Sequence, residues 1–343
     1  MTNRKRILVV VQQQPGSERA IDHALAMARQ SDADLTVIDV YSYLDAYTKA
    51  LSDVIDGSEL RQLVLEHRKD HLKRYLASRD DEKARTAEVK VLDGVPFVEI
   101  IREAVNTGCE LTVKVSDREG GSRNRNFGST DMHLIRKSPI PVWTINAARK
   151  DTARRVLATV DPLAMDDESR DLHRKTLKVA AELAEMTNAR LLVLSTWQLI
   201  GEESMRNSPF LKIDDARIDS LVDETDNRAR NAQSLLARWF EREVPHATIP
   251  NWHVIKGTAR QVIPDFVEAH DIELLVMGSV ARADIPGLLI GSTAESVLGD
   301  INCSVLTVKP DGFVSPIALD QTGLDPAAPD EEEDAPPVAH AAA

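Results

Sequence analysis

The sequence predicts an α/β fold made of two tandem, doubly wound parallel sheets, and three observations predict it. Short apolar runs rich in β-branched residues alternate with segments whose apolar residues have helical spacing. The whole pattern begins again after about residue 150. Each copy ends with Gly-Ser, a short helical segment and a final apolar run, at Gly128 and again at Gly291. Strands that alternate with helices indicate right-handed crossovers and parallel pairing.

The first copy contains five predicted strands. Their continuous apolar character suits strands that are buried on both faces of a parallel sheet. They cover residues 6–11, 35–38, 88–92, 111–115 and 141–145. The helices predicted between them cover residues 18–31, 60–76, 96–105 and 129–135. The first of these helices carries an apolar stripe that includes Ile21 and Leu25, as expected for a helix packed on a sheet.

The second copy repeats the predicted elements of the first in the same order. Val156 corresponds to Ile7 at an offset of 149, and Val276 corresponds to Val113 at an offset of 163. The second copy therefore has 163 − 149 = 14 extra residues, all in its front part. We predict a first domain at residues 1–150 and a second at 151–312. Residues 313–343 are rich in Pro, Ala and acid, which predicts a disordered acidic tail.

Composition excludes several classes of function. The net charge of −13 and the aromatic content of 4% argue against nucleic acid as a partner. The two cysteines are far apart, as in proteins of a reducing compartment. No apolar run approaches the roughly 20 residues of a membrane span. We therefore expect a cytoplasmic protein with no membrane span.

A loop near the end of the second copy has the features of a phosphate site. An apolar run ends at Gly278, and Gly291 and Ser292 precede the next helix. Ser292 and Glu295 have the spacing of a capping box, which predicts Ser292 as the N-cap. The N-terminus of a helix offers unpaired N–H groups to an anion. Capping alone would also explain Ser292.

The loop resembles the nucleotide-binding signature of the universal stress protein family: Gly, two residues, Gly, nine residues, then Gly with Ser or Thr. Gly278, Gly291 and Ser292 match, and Ala281 replaces the second glycine. The runs TDMHLIRKSPIPVW and IGSTAESVLGDINCSVLTVKPD carry the same resemblance, which covers about residues 1–315. It implies Rossmann-like domains that support survival under stress, including DNA damage. It also implies an intramolecular pseudo-dimer that pairs the last strands, residues 140–145 and 304–309.

The resemblance implies an adenine nucleotide, such as ATP, in the second copy only. The ligand-binding residues that it implies there are Asp161, Met277, Gly278, Ala281, Gly291, Ser292, Thr293 and Ala294. In the first copy Gln12 replaces the acid, and Val115 and Arg118 replace two glycines, so no nucleotide is expected. The extra Cβ of Ala281 would cost about 1–2 kcal/mol if its φ must be positive, and nothing if a small residue is enough.

No motif of an enzyme is present, which predicts a non-enzymatic protein. Two alternatives remain open at this stage. The altered glycine pattern and the 14 extra residues would also suit a carrier or sensor of an apolar or amphiphilic molecule, bound in the second domain. A slow ATPase would need a base that the sequence does not reveal. His67 and His71 have helical spacing but no third ligand nearby, so no metal site is predicted.

Overall fold

The computed structural model describes residues 5–12, 16–41, 57–117, 127–146, 154–208, 210, 213–279 and 290–317. Within these residues the chain forms ten strands. They are β1 (Arg6–Val10), β2 (Asp34–Tyr41), β3 (Glu88–Asp93), β4 (Leu111–Val115), β5 (Val142–Ile145), β6 (Arg155–Thr159), β7 (Arg190–Trp197), β8 (Asn251–Lys256), β9 (Leu274–Gly278) and β10 (Ser304–Val308).

The described part of the chain also forms ten helices. They are α1 (Glu18–Ser31), α2 (Gly57–Ala77), α3 (Glu82–Thr86), α4 (Pro96–Asn106), α5 (Ser129–Lys137), α6 (Asp167–Met186), α7 (Glu202–Asn207), α8 (Asp215–Glu243), α9 (Ala259–Ala269) and α10 (Ser292–Asp300). The bounds of the elements predicted in the first half agree with the observed ones to within a few residues at each end, whereas α3, α7 and α8 were not predicted.

The ten strands form one sheet in the order β3-β2-β1-β4-β5-β10-β9-β6-β7-β8. The five strands of the second half thus repeat the order of the first half in reverse, as a two-fold axis between the halves requires. Neighbouring strands are parallel within each half. β5 and β10 are antiparallel, with Trp143 opposite Leu306. The predicted α/β class and the predicted pairing of the last strands are confirmed.

The extra residues of the second half mainly lengthen helices. Helix α6 has 20 residues where its counterpart α1 has 14, and α8 has 29 where α2 has 21. The glycines that precede α4 and α9 are also repeated. Gly94 has φ 151° and Gly257 has φ 142°, a conformation that glycine adopts without steric cost.

One hydrophobic core covers the same face of the sheet in both halves. This shared core joins Val9 and Leu25 of the first half to Val156 and Leu177 of the second, with Trp143 at the junction. The opposite face carries a separate core over each half. The chain returns to the first half near its described end, because Ile317 is buried in the first-half core. None of the described helices combines the length and apolar character needed to cross a membrane.

Candidate functional site

Several predicted ligand residues of the second half that the structure describes lie at the carboxyl ends of β6 and β9. These strands are neighbours, and Ala158 pairs with Val276. Asp161 and Gly278 follow within three residues, so both lie at this edge of the sheet. The chain order reverses between β6 and β9, which is where open parallel sheets form ligand crevices. Gly291 also lies at this edge, because its N–H donates a hydrogen bond of 3.1 Å to the carbonyl oxygen of Ser279.

Asp161 is exposed and has a local structural role. Its Oδ1 accepts a hydrogen bond from the N–H of Leu163 at 2.9 Å, which closes a turn. Its own N–H faces Nε2 of His173 at 3.5 Å. Burial lowers the pKa of His173, while the carboxylate of Asp161 acts in the opposite direction. The neutral imidazole can therefore accept this hydrogen bond.

Gly278 lies close to helix α6. A Cβ at this position would lie 2.8 Å from Cδ2 of Leu172 in helix α6. The residue at the same place in the first half is Val115, which is buried in β4. Close approach of α6 thus explains Gly278 without any ligand.

The start of α10 differs from the sequence-based prediction. Gly291 is the N-cap, Ser292 is the first helical residue, and no side chain caps the helix. Glu295 does not reach back to the N-cap N–H because its carboxylate pairs with Arg136 of the first half. The predicted capping box is therefore wrong. The N–H groups of the first turn have no acceptor within the helix, which leaves them suited to an anion.

The corresponding helix start in the first half is closed by an internal carboxylate. Asp131 is fully buried, and its Oδ2 accepts from the N–H of Gly128 at 2.9 Å and of Asp117 at 2.8 Å. The hydroxyl of Ser116 donates to the same oxygen at 3.0 Å. The ammonium of Lys114 donates to Oδ1 at 2.6 Å and is itself buried. An anion of the protein thus occupies the N-terminus of α5.

Burial and the ion pair act in opposite directions on the pKa of Asp131. Burial raises the pKa of the Asp131 carboxyl, and the neighbouring Lys114 ammonium acts against that rise. Neither Lys114 nor Asp131 was among the site residues predicted from the sequence. A lysine inside the otherwise apolar strand LTVKV was the available signal, because a buried lysine needs an anionic partner.

The second half replaces both charges with apolar side chains. At the offset of 163, Met277 stands for Lys114 and Ala294 stands for Asp131. Met277 and Ala294 are both buried in the second-half core. The start of α10 therefore has neither the internal anion nor the internal cation of the first half. Ser292 and Thr293 are exposed beside it.

The model of the universal stress protein family matches residues 3–146 and again residues 153–309. This chain belongs to the universal stress protein family. Its two family domains are in tandem, as the sequence predicted, and membership supports a role in the stress response.

Relatives named universal stress protein E match most of the chain. Universal stress protein E of Escherichia coli (strain K12) is 30% identical over 249 residues, 72% of this chain and 73% of the relative. Universal stress protein E of Salmonella typhi is 27% identical over 323 residues, 92% of this chain and 98% of the relative.

Solved structures share the fold. A protein of unknown function from Pseudomonas aeruginosa PAO1 is 25% identical with a TM-score of 0.62, over 90% of this chain and 94% of that one. A universal stress protein from Archaeoglobus fulgidus is similar in fold, with a TM-score of 0.53 at 17% identity, over 89% of this chain and 98% of that one.

The two universal stress domains differ at a second buried position. In the first domain Arg68 of α2 pairs with Asp39 of β2 at 2.6 Å, and both side chains are buried. In the second domain Gln233 of α8 donates to the hydroxyl of Ser195 in β7 at 3.2 Å. The first domain thus contains buried ion pairs at two places where the second domain has neutral side chains.

A cavity of about 680 Å³ lies between the two universal stress domains. It is bounded by the C-terminal parts of α1 and α6 and by the amino ends of β1 and β4, with Leu306 of β10 also in its lining. Gln30 and Met186 close one side, where the Gln30 side chain donates to the Met186 carbonyl oxygen at 2.8 Å. This cavity lies at the amino ends of the strands, away from the carboxyl ends of β6 and β9 where Asp161 and Gly278 lie.

Several predictions fall on residues outside the described ones. Ala281 and Arg118 both do, so the two interpretations of the Ala281 substitution both stay open. Most of the predicted acidic tail is likewise outside them. Among the residues that the structure describes, no group of three His, Cys, Asp or Glu side chains could hold a metal ion.

Proposed function

We propose that this universal stress protein is a non-enzymatic, cytoplasmic stress-response protein that binds an adenine nucleotide in its second domain only. In this proposal it supports survival under stress such as DNA damage. The domains extend over residues 1–150 and 151–312, followed by a segment at 313–343 whose first residues, as far as Ile317, pack against the first domain. The nucleotide lies between Asp161 and Gly278, and its phosphates contact residues 291–294 at the start of α10.

The different charges at the two helix starts carry this proposal. Phosphate carries negative charge, and Asp131 already places a buried carboxylate at the start of α5. Its Oδ2 already accepts the N–H groups of Gly128 and Asp117, so a phosphate would have to displace this carboxylate to reach those donors. Ala294 leaves the start of α10 without that carboxylate. The second domain is therefore the one in which the helix dipole and the unpaired N–H groups can act on a phosphate.

Calorimetric titration of the full-length protein with ATP tests the proposal. We expect one nucleotide bound per chain. Transplanting the internal ion pair of the first domain, with Met277→Lys and Ala294→Asp together, should reduce the affinity at least roughly tenfold, about 1.4 kcal/mol. Ala294→Asn adds a side chain of the same size without the charge, and it should retain more of the binding.

Two results would contradict the proposal. Two nucleotides per chain would mean that the first domain also binds, and no binding by the unmodified protein would exclude the nucleotide.

The proposed role in survival under stress is tested by deleting the gene and measuring survival after ultraviolet irradiation. Survival should return with the unmodified protein and should return less with the Met277→Lys, Ala294→Asp variant.

The cavity between the domains favours a second candidate function, a carrier or sensor of a non-nucleotide small molecule. Met27, Val179, Leu183 and Met186 give this cavity a largely apolar lining. The sequence analysis expected such a ligand in the second domain, whereas this cavity is shared by both domains. Native mass spectrometry of the protein as purified separates the candidates. A bound adenine nucleotide supports the first, and a bound apolar or amphiphilic molecule supports the second.

A further inference from the structure

The C-terminal end of helix α5 in the first domain contacts the second domain near the site proposed to bind phosphate. The carbonyl oxygen of Arg136 accepts from the ammonium of Lys309 at 3.1 Å, and that of Ile135 lies 3.5 Å from the hydroxyl of Ser279. Lys309 and Ser279 are both buried and directly follow β10 and β9. Ile135 also packs in the second-domain core together with Ala294. The end of α5 is therefore part of the structure that holds the start of α10.

The side chain of Arg136 reaches the start of α10 itself. Its guanidinium forms an ion pair with the carboxylate of Glu295. Glu295 is the acidic residue in the first turn of that helix. A carboxylate there stabilises the helix dipole, but it would repel a phosphate that binds at the same helix end. The guanidinium offsets that repulsion.

We propose that Arg136 is a specificity-determining residue of the second-domain site. It belongs to the first domain, and by pairing with Glu295 it allows phosphate to bind at the start of α10. Arg136 neutralises Glu295, so the dipole and the N–H groups of α10 act on the ligand without a net opposing charge. This inference rests on the proposed function.

The ion pair between Arg136 of the first domain and Glu295 of the second has no counterpart with the two domains exchanged. At the offset of 163, Glu295 corresponds to Met132 and Arg136 corresponds to Gly299. The position of Arg136 is thus occupied by glycine in the second domain, and the position of Glu295 is occupied by methionine in the first. The contact serves the helix start that lacks an internal anion, which is the one proposed to bind phosphate.

A ligand series tests this role in the full-length protein. Adenosine, AMP, ADP and ATP are titrated into the unmodified protein and into Arg136→Met. The loss of affinity should grow with ligand charge, from none for adenosine to roughly threefold to tenfold for ATP. It should also shrink as salt is added, because both charges are partly exposed.

Two further variants separate charge from packing. Arg136→Lys keeps the positive charge and should bind ATP nearly as well as the unmodified protein. Adding Glu295→Gln to Arg136→Met removes the carboxylate that then lacks its partner, and it should restore the affinity for ATP. Thermal melting of each variant checks that it is folded.

The outcomes separate this inference from the proposed function. If ATP binds the unmodified protein and Arg136→Met equally well, Arg136 has no role in specificity, although the proposed function stands. An equal loss for adenosine and ATP would mean that Arg136 acts through packing alone, which also overturns the inference. Absence of ATP binding by the unmodified protein overturns the proposed function and this inference with it.

Discussion

The ammonium of Lys114 donates a hydrogen bond of 2.6 Å to the carboxylate of Asp131, and neither side chain reaches solvent. The two residues belong to β4 and α5 of the first domain. Their pairing places a buried carboxylate at the start of α5, where the second domain has Ala294. This one relationship distinguishes the two copies of the fold more clearly than any glycine does.

We expect Asp131→Ala to destabilise the protein by about 3–5 kcal/mol, because it leaves the Lys114 ammonium buried without that carboxylate. The double variant Lys114→Met, Asp131→Ala copies the residues of the second domain and should recover much of the loss. Unfolding in urea at neutral pH measures both free energies. If the double variant is less stable than the single one, the charge of Lys114 is not the cause.

Replacing glycine by alanine should cost more at Gly128 than at Gly278. A Cβ on Gly128 would lie 2.5 Å from the carbonyl oxygen of Asp117, which is backbone and cannot move alone. A Cβ on Gly278 would meet the Leu172 side chain, which can shift. We expect roughly 1–3 kcal/mol for Gly278→Ala and more for Gly128→Ala.

Urea denaturation of the two alanine variants checks this order. Adding Leu172→Ala to Gly278→Ala should remove the penalty of the added methyl group, relative to Leu172→Ala alone. If Gly278→Ala has no effect on stability, helix packing does not explain that glycine.

Lys309 should make stability depend on pH in the alkaline range. Burial lowers its pKa from 10.5 to about 7 in the folded protein. The unfolded chain therefore binds more protons than the folded one between about pH 7 and 10.5, and stability rises with pH in that window. The slope from this residue is at most about 1.4 kcal/mol for each pH unit.

The free energy of unfolding, measured at several pH values from neutral to alkaline, checks this dependence. Lys309→Met should flatten the rise. Lys178→Met is the control because Lys178 lies at the surface of α6, and it should leave the rise unchanged. An equally steep rise in Lys309→Met would assign the dependence to another group.

Both domains should unfold in one cooperative transition. The shared core contains side chains of both halves, and Trp143 at their junction is 2% exposed. Differential scanning calorimetry should give a calorimetric enthalpy equal to the van't Hoff enthalpy. Trp143→Ala should lower the midpoint, at a cost of about 3–5 kcal/mol. Two separate transitions in the unmodified protein would contradict this prediction.

The sequence by itself determined the class of the fold and its duplication. Strand and helix periodicities are local properties of the backbone, so they can be read from short windows such as residues 111–115. The repeat is a comparison of the chain with itself and needs no coordinates. The resemblance to a known family then supplied the antiparallel pairing of the last strands, which local patterns do not contain.

Only the tertiary structure decided which residues meet at the two helix starts. Glu295 has the spacing of a capping residue, but it pairs with Arg136, which lies 159 residues away in the chain. Lys114 and Asp131 are brought together across a crossover, and Gly278 is explained by Leu172 of another helix. Such contacts depend on how packed elements place side chains in space. Local propensity is too weak to specify them, so the charges that separate the two domains became apparent only in the folded chain.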